Sequence, residues 1–550
     1  MDRKDEAGAA FGGGGAPHPW TGRVRLLDPD TAVRRPGAAP VRPTWYLRNR
    51  LLLSGTPKTS AAYEALRRLA AELGWTVRVD PRDERDVALL DSADLPAELH
   101  AELERAWSFA VTFEPESTTT PPVDVWNLFE EHAPNLSVAV SLDHVLWATP
   151  IHGLPFTQPH PFTQPHPFTQ PHPFTQPHPF VPADAVAEYG YAGSGGRAPV
   201  DWVGPAPQRR HPDGEKGVVR PVVCVLDTGA GEHPWFAGDV VVRDPEVLGT
   251  PIGPFPPVVP AWRGSEVVGM HEWPLTGGLD PAAAHGTFIT GIVHQRCPDA
   301  IVMACRLYGG DAVIAEGDLL AGLRRLLLFH VLGLLGRPGY RPVDILTLSL
   351  GYYHERPHDE DFDLPLRIAL DALGRFGMAV VASAGNDATL RACYPAAFAP
   401  MLSSWTPPTP VAPCDPAQPP LVCVGALNPD GSTALMSNDG PWVTALRPGA
   451  ALVSTMPVTM NGSLTPSVEL PGLRPGELRR SVDPDGFTGG FAVWSGTSFA
   501  APLLAGDLAE ALLRAREAGG ETPAGWPGGV PERCAATWAA IGEVTGLPVP

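Results

Sequence analysis

Val222 to Gly229 reads VVCVLDTG, five apolar residues that stop at Asp227 and then turn at Gly229. A run this short and this rich in valine suits a strand buried on both faces, as inside a parallel sheet. Working outward, similar runs occur at Ile301–Arg306, Ile345–Leu350, Ala379–Ser383 and Leu421–Ala426, with helical stretches such as Leu319–Leu335 and Leu364–Phe376 between several of them. Strands separated by helices pair in parallel, and the helices cover both faces. Residues 218–519 are therefore expected to form an α/β domain with helices on both faces of one parallel sheet. In such folds chemistry collects at the carboxyl ends of strands and the amino ends of helices.

Four segments fall at those ends. VVCVLDTG puts Asp227 at a strand end; HGTFITGIVHQ puts His285 at a helix start; VVASAGND puts Asn386 just past a strand; SGTSFAAP puts Ser498 where a glycine-led turn becomes a helix. Each has a plain reading alone, since D-T-G and A-G-N often only end strands, and a helix-opening histidine is often a surface residue. In this order they resemble the subtilisin-like serine peptidases (family S8), whose triad runs Asp, His, Ser along the chain. The resemblance covers roughly Pro221 to Ala509 and extends to SLG at Ser349–Gly351 and to segments near Val424 and Pro448.

It implies a serine endopeptidase that cuts peptide bonds through an acyl-enzyme intermediate. A serine hydroxyl is a weak nucleophile until a base takes its proton, and imidazole suits that task near neutral pH. Ser498 would be the nucleophile, His285 the base, and Asp227 the carboxylate that fixes the imidazole tautomer. Asn386 and the Ser498 backbone N–H would hold the oxyanion. Ser349, Leu350 and Gly351, with Ala382, Ser383, Ala384 and Gly385, match the segments flanking the pocket for the residue before the scissile bond. Tyr352 stands where the family has a second glycine and would crowd that pocket. Cys393 falls near its floor and is expected to pack, and Asp387 reads as a solvated surface carboxylate. Two rivals remain: an inactive peptide-binding scaffold of the same fold, and an aspartic protease built on LDTGA at Leu226–Ala230. The latter needs two carboxylates sharing a proton, and no second D-T-G is present.

Ahead of this domain, residues 43–150 read as β-α-β-β-α-β, a small α+β ferredoxin-like unit. The strands are Tyr46–Leu53, Trp75–Val79, Trp107–Phe113 and Leu136–Trp147; the helices are Ser60–Leu73 and Val123–His132, with an extra one at Ala97–Arg105. By the resemblance this unit is similar to the propeptides that chaperone and inhibit the family, its tail after Trp147 entering the cleft. Residues 1–42 read as a disordered leader, 151–217 as a linker and 520–550 as a C-terminal extension with a short helix near Ala535–Glu543. PFTQPH occurs four times from Pro155 to His178, and Pro at nine of the 26 positions to Phe180 forbids a helix. An extended polyproline rod sets His160, His166, His172 and His178 roughly 19 Å apart, too far for one ion, so the tract is a spacer. Val458–Gly490 reads as a polar surface loop.

Composition narrows the partners. The chain has 550 residues, 44% hydrophobic, with a net charge of −20, a field that repels nucleic acid and anionic membranes. Seven cysteines make no disulfide framework and no zinc pattern. The amino terminus lacks the apolar stretch of a secretory signal, and Arg324 and Arg325 interrupt the longest apolar region. A cytoplasmic setting is expected, with unconventional export left open. Partners are protein or peptide substrates and the chain's own N-terminal domain. There is no phosphate loop or calcium-loop pattern, no cofactor is required and no metal is assigned, although structural calcium is common in the family.

Overall fold

The computed structural model describes residues 22–148 except 121 and 133–139, residues 196–519 except 212–217, 237, 257–263, 271–276 and 357–363, and residues 525–550. The PFTQPH repeats lie outside the described residues.

The N-terminal unit contains β1 (Val24–Leu27), β2 (Thr44–Ser54), α1 (Ala61–Glu72), β3 (Trp75–Val79), α2 (Pro81–Ser92), α3 (Ala97–Arg105), β4 (Ser108–Pro115), α4 (Val125–His132) and β5 (Val140–Trp147). Its sheet runs β5-β2-β4-β3 with every pair antiparallel, the strand order of a ferredoxin-like unit. Two features depart from the expectation. β1 pairs with β2, so the second half of the expected leader belongs to the sheet. And the β3–β4 link carries α2 in addition to the expected helix at Ala97–Arg105, which is α3. α2 opens on Asp80, whose carboxylate accepts from the Arg82 amide at 2.9 Å, with Pro81 in the first turn. That is a regular helix start. Its charged sequence, PRDERD, hides the apolar stripe of Val87 and Leu90 that packs inward.

The larger domain is built on β6 (Val222–Asp227), β7 (Val241–Arg243), α5 (His285–Arg296), β8 (Ile301–Arg306), β9 (Val313–Ala315), α6 (Glu316–Leu334), β10 (Ile345–Leu348), α7 (Leu364–Arg375), β11 (Ala379–Ser383), β12 (Val422–Leu427), β13 (Ala445–Pro448), α8 (Thr497–Glu517) and α9 (Val530–Thr545). Seven strands form one sheet in the order β13-β12-β11-β10-β6-β8-β7, all parallel. Two apolar cores lie on its two faces, one with α6 and α7, the other with α5 and α8. This is the expected α/β fold.

Both ends of the domain reach further than expected. Ala198 and Pro199 pair with Val493 and Ala492, and the fully buried Arg197 donates to the carbonyls of Asp280, Pro281 and Ala283. The chain thus joins the domain near residue 196, not 218. At the other end α9 packs on α8, and its Arg533 donates to Asp344 at 2.6 Å. Within 458–490, Glu469–Pro471 and Leu478–Arg480 pair as an exposed hairpin. Among the described residues no helix is long and apolar enough to cross a membrane.

The two units share a core and an edge. Trp107, Leu52 and Leu99 belong to the same cluster as Leu319 and Leu320 of α6. β9 pairs antiparallel with β5, Val313 opposite Trp147. Arg324 and Arg325 of α6 are buried because the N-terminal domain pairs them: Arg324 Nε donates to Asp86 at 2.8 Å and contacts Asp83, and Arg325 Nε donates to Asp86 at 3.0 Å. Leaving such guanidinium groups without carboxylates inside the protein would cost several kcal/mol each, about 3–5 kcal/mol when one partner is removed.

Candidate active site

Asp227 ends β6 and His285 begins α5, on neighbouring carboxyl-edge loops. His285 Nδ1 lies 2.8 Å from Asp227 Oδ1 and 3.0 Å from Oδ2. The approach is close because of Gly286: a Cβ there would stand 2.1 Å from the Gly229 carbonyl oxygen. Ala284, just before the histidine, takes φ of 67°, a left-handed conformation that costs an alanine about 1–2 kcal/mol.

Ser498 lies in the first turn of α8. Its carbonyl accepts from Ser349 Oγ at 2.8 Å, while Asn386 Oδ1 accepts from the Thr497 amide at 2.8 Å and from Thr497 Oγ1 at 2.9 Å. The Asn386 oxygen is thereby anchored on α8, which turns its NH2 toward the Gly496 side: a Cβ built on Gly496 would lie 3.5 Å from Nδ2. Phe499, next to Ser498, packs on the His285 ring with centroids 5.3 Å apart. Ser498 Oγ and His285 Nε2 are both buried and neither has a hydrogen-bond partner among the described residues. They are the complementary pair that one hydrogen bond would satisfy, but that bond is not made here. Asp227, His285 and Ser498 are at most 1% exposed.

Ser349–Gly351 and Ala382–Gly385 lie at the ends of adjacent strands β10 and β11. Cys393 packs between them: its Sγ would be 2.5 Å from a Cβ on Gly351 and 3.5 Å from one on Gly385. Burial pushes this thiol well above its usual range. Tyr352 points to the N-terminal domain. Its ring stacks on His144 of the N-terminal domain at 4.4 Å, because that buried imidazole offers it a flat partner. Asp387 is not a solvated carboxylate. It accepts from Tyr353 OH, and burial raises it to about 6.

Two supporting groups escaped the sequence reading. Tyr308 OH donates to Asp227 Oδ2 at 2.5 Å, and burial and the neighbouring carboxylate raise its own pKa well above the phenol range. Glu266 accepts from both Thr228 Oγ1 and Thr287 Oγ1, tying the aspartate's turn to the histidine's helix. Burial raises Glu266 to about 8. Tyr308 was findable in principle, since it follows β8, the strand paired with β6, and Arg306 stands opposite Asp227. Glu266 lies in an irregular segment with no local signal.

A parallel sheet carries an aspartate–histidine pair and a helix-start serine along one edge, and the family match makes the chain a serine-type peptidase. The Subtilase family model matches residues 219–524, more than half of the chain, and the chain belongs to that family. Protein or peptide substrates follow from it. No curated protein matches. Solved structures that resemble the chain include a cold adapted subtilisin-like serine proteinase (16% identity, 57% of this chain and 79% of that one, TM-score 0.32). Others are a lanthipeptide protease (17%, 57% and 79%, 0.34) and a prenylagaramide maturation protease (16%, 61% and 96%, 0.34).

Proposed function

We propose that the chain is a serine endopeptidase that attacks peptide bonds with Ser498 and is held inactive by its own N-terminal domain. His285 Nε2 takes the serine proton as the tetrahedral intermediate forms and returns it to the leaving amine; Asp227 holds Nδ1–H and stabilises the imidazolium. Asn386 Nδ2–H and the Ser498 amide donate to the oxyanion, and water then releases the acyl group from Ser498. No metal or cofactor is needed for these steps. The observation that carries the reading is the 2.8 Å contact of His285 Nδ1 with Asp227, with the His285 ring packed against the residue that follows Ser498.

Latency is supported by the edge that an extended substrate would use. Gly351, in the SLG segment, exchanges two backbone hydrogen bonds with Trp147, each 3.0 Å, and the Ala148 amide donates to the Ala312 carbonyl at 2.9 Å. The end of β5 thus lies between two peptidase segments as the middle strand of three. Continuing an antiparallel register from Gly351 leads to Ser349, which touches Ser498. A bound substrate strand would need the same backbone groups, so the N-terminal domain and substrate compete. The test is labelling with a fluorophosphonate after limited proteolysis of the linker, in the wild type and in Ser498→Ala. Labelling and hydrolysis in the wild type alone are expected. Undiminished turnover by Ser498→Ala would refute the assignment, and silence in both would favour the scaffold reading.

A further inference from the structure

We infer that His144, His354 and Glu355 form a divalent metal site, suited to Zn2+, that bolts the N-terminal domain to the peptidase domain. The three side chains offer ligand atoms that lie within 4.8 Å of one another, and all three are at least 98% buried. His144 comes from β5 of the N-terminal domain. His354 and Glu355 follow the SLG segment of the peptidase. Neither domain alone holds the set, which is why no spacing in the sequence announces it.

The bonding pattern favours an ion. His144 Nδ1 lies 2.7 Å from Glu316 Oε2, at the first residue of α6, and Nε2 lies 2.9 Å from Glu355 Oε2. With its Nδ1 proton held by Glu316, the ring turns the Nε2 lone pair toward a carboxylate oxygen, and those two atoms tolerate each other only with a cation between them. A carboxylate on the far nitrogen is also the usual outer-shell partner of a zinc-bound histidine, fixing its tautomer and raising its basicity. Glu355 Oε1 is buried and has no hydrogen-bond partner among the described residues, so this carboxylate has coordination to spare. His354 Nδ1 stands 3.8 Å from Glu355 Oε2, beyond hydrogen-bond range. Neighbouring ligand atoms around tetrahedral zinc, with bonds of about 2.0–2.1 Å, are separated by about 3.3 Å. The 2.9 and 3.8 Å contacts bracket that separation, and the third pair lies within 4.8 Å, so loading draws the three groups together over a short distance. It also replaces one local bond, the 2.8 Å hydrogen bond that His354 Nδ1 accepts from the Arg356 amide. Two imidazoles and a carboxylate are a donor set that zinc takes, with the fourth position filled by Glu355 Oε1 or water.

The alternative occupant is a proton, which would leave His144 an imidazolium between two glutamates. The two differ in one measurable respect, and the measurement does not depend on the proposed peptidase chemistry. Full-length Ser498→Ala, stripped with a chelator, is titrated with Zn2+ alone by calorimetry, and bound metal is counted by mass spectrometry after desalting. One equivalent is expected that disappears in His144→Gln and in His354→Gln and weakens about 10- to 100-fold in Glu316→Gln. Zinc held by the repeat histidines would survive all three substitutions. Far-ultraviolet circular dichroism checks folding, and His354→Gln reports on the site without touching the N-terminal domain. If Co2+ fills the same site, visible absorption of a tetrahedral ion gives an independent signature. No equivalent above that held by the repeats, or one indifferent to His144→Gln and His354→Gln, overturns the inference. The consequence for latency rests on the proposed function: zinc should slow, and chelation hasten, the appearance of activity in the wild-type chain. A metal site without that effect would instead count against inhibition by the N-terminal domain.

Discussion

Glu266→Gln should remove one pH dependence from the stability of the fold around Asp227 and His285. The Glu266 carboxyl is buried between the hydroxyls of Thr228 and Thr287, and Thr228 Oγ1 also lies 3.2 Å from Asp227 Oδ1. Burial, assisted by the charge of Asp227, raises Glu266 from 4.5 to about 8. The folded protein therefore holds a proton there that the unfolded chain releases above about pH 4.5. The associated stability is complete below the unfolded value, declines as pH rises, and is gone once pH passes the folded value near 8. At about 1.4 kcal/mol per pH unit the interval corresponds to roughly 5 kcal/mol, an upper bound because the site can relax or admit water when charged. Gln copies the neutral form: its oxygen accepts from one threonine and its NH2 donates to the other. In an inactive Ser498→Ala background, Glu266→Gln should match its parent near pH 5 and exceed it near pH 9 in denaturant unfolding. A difference that does not change with pH would refute the argument, whatever its size.

Four further predictions follow from particular contacts. Tyr308→Phe removes the donor on Asp227 Oδ2 and keeps the ring; a hydrogen bond to a charged group is worth about 1.5–3 kcal/mol, so kcat should fall while KM stays. A change confined to KM would mean that the tyrosine shapes the pocket instead. Asn386→Leu should lower kcat about 100- to 1000-fold, a factor borrowed from the corresponding donor of subtilisin, with KM little changed in steady-state assays. Gly286→Ala should collapse activity because its Cβ meets the Gly229 carbonyl; an active, normally folded variant would show that the 2.1 Å approach is dispensable. Arg324→Ala leaves Asp86 only Arg325, and Asp83 only the 3.7 Å contact with Arg82, as ion-pair partners, at a cost of up to about 3–5 kcal/mol. Linker-cleaved protein of this variant should lose its N-terminal domain on gel filtration, and retention would place the binding energy elsewhere.

The sequence made the sheet legible because its strands are buried on both faces. VVCVLD and AVVAS have no alternation to misread, and their ends locate Asp227 and Asn386. Ser498 and His285 were legible because glycine marks both helix starts. What escaped is what depends on contact between distant segments. α2 was missed since its apolar stripe is narrow and its remaining face is charged to meet the arginines of α6. Arg324 and Arg325 read as interruptions of an apolar helix, and only the carboxylates of the other domain show why they are there. The same holds for His144, an unremarked residue in an apolar strand until Glu316 and Glu355 close around it.

Of the contacts that join the domains, the backbone bonds and the charge pairs have different consequences for release. On the proposed function, the backbone bonds of Trp147 and Ala148 occupy the edge a substrate strand would use, and a substrate backbone can replace them. The charge pairs on α6 cannot be replaced by substrate, so they supply the specificity that keeps this strand, and not another, in place. While the linker is intact, rebinding is intramolecular and its effective concentration far exceeds that of free substrate. Cutting the linker removes that advantage without breaking a single interface contact. Activity should therefore appear in two stages, an early cut that leaves a latent complex and a later loss of the domain, and only the second stage should speed up on dilution. If peptidase activity rose in step with the cut itself at every protein concentration, the buried charges of α6 would not be what holds the inhibitor.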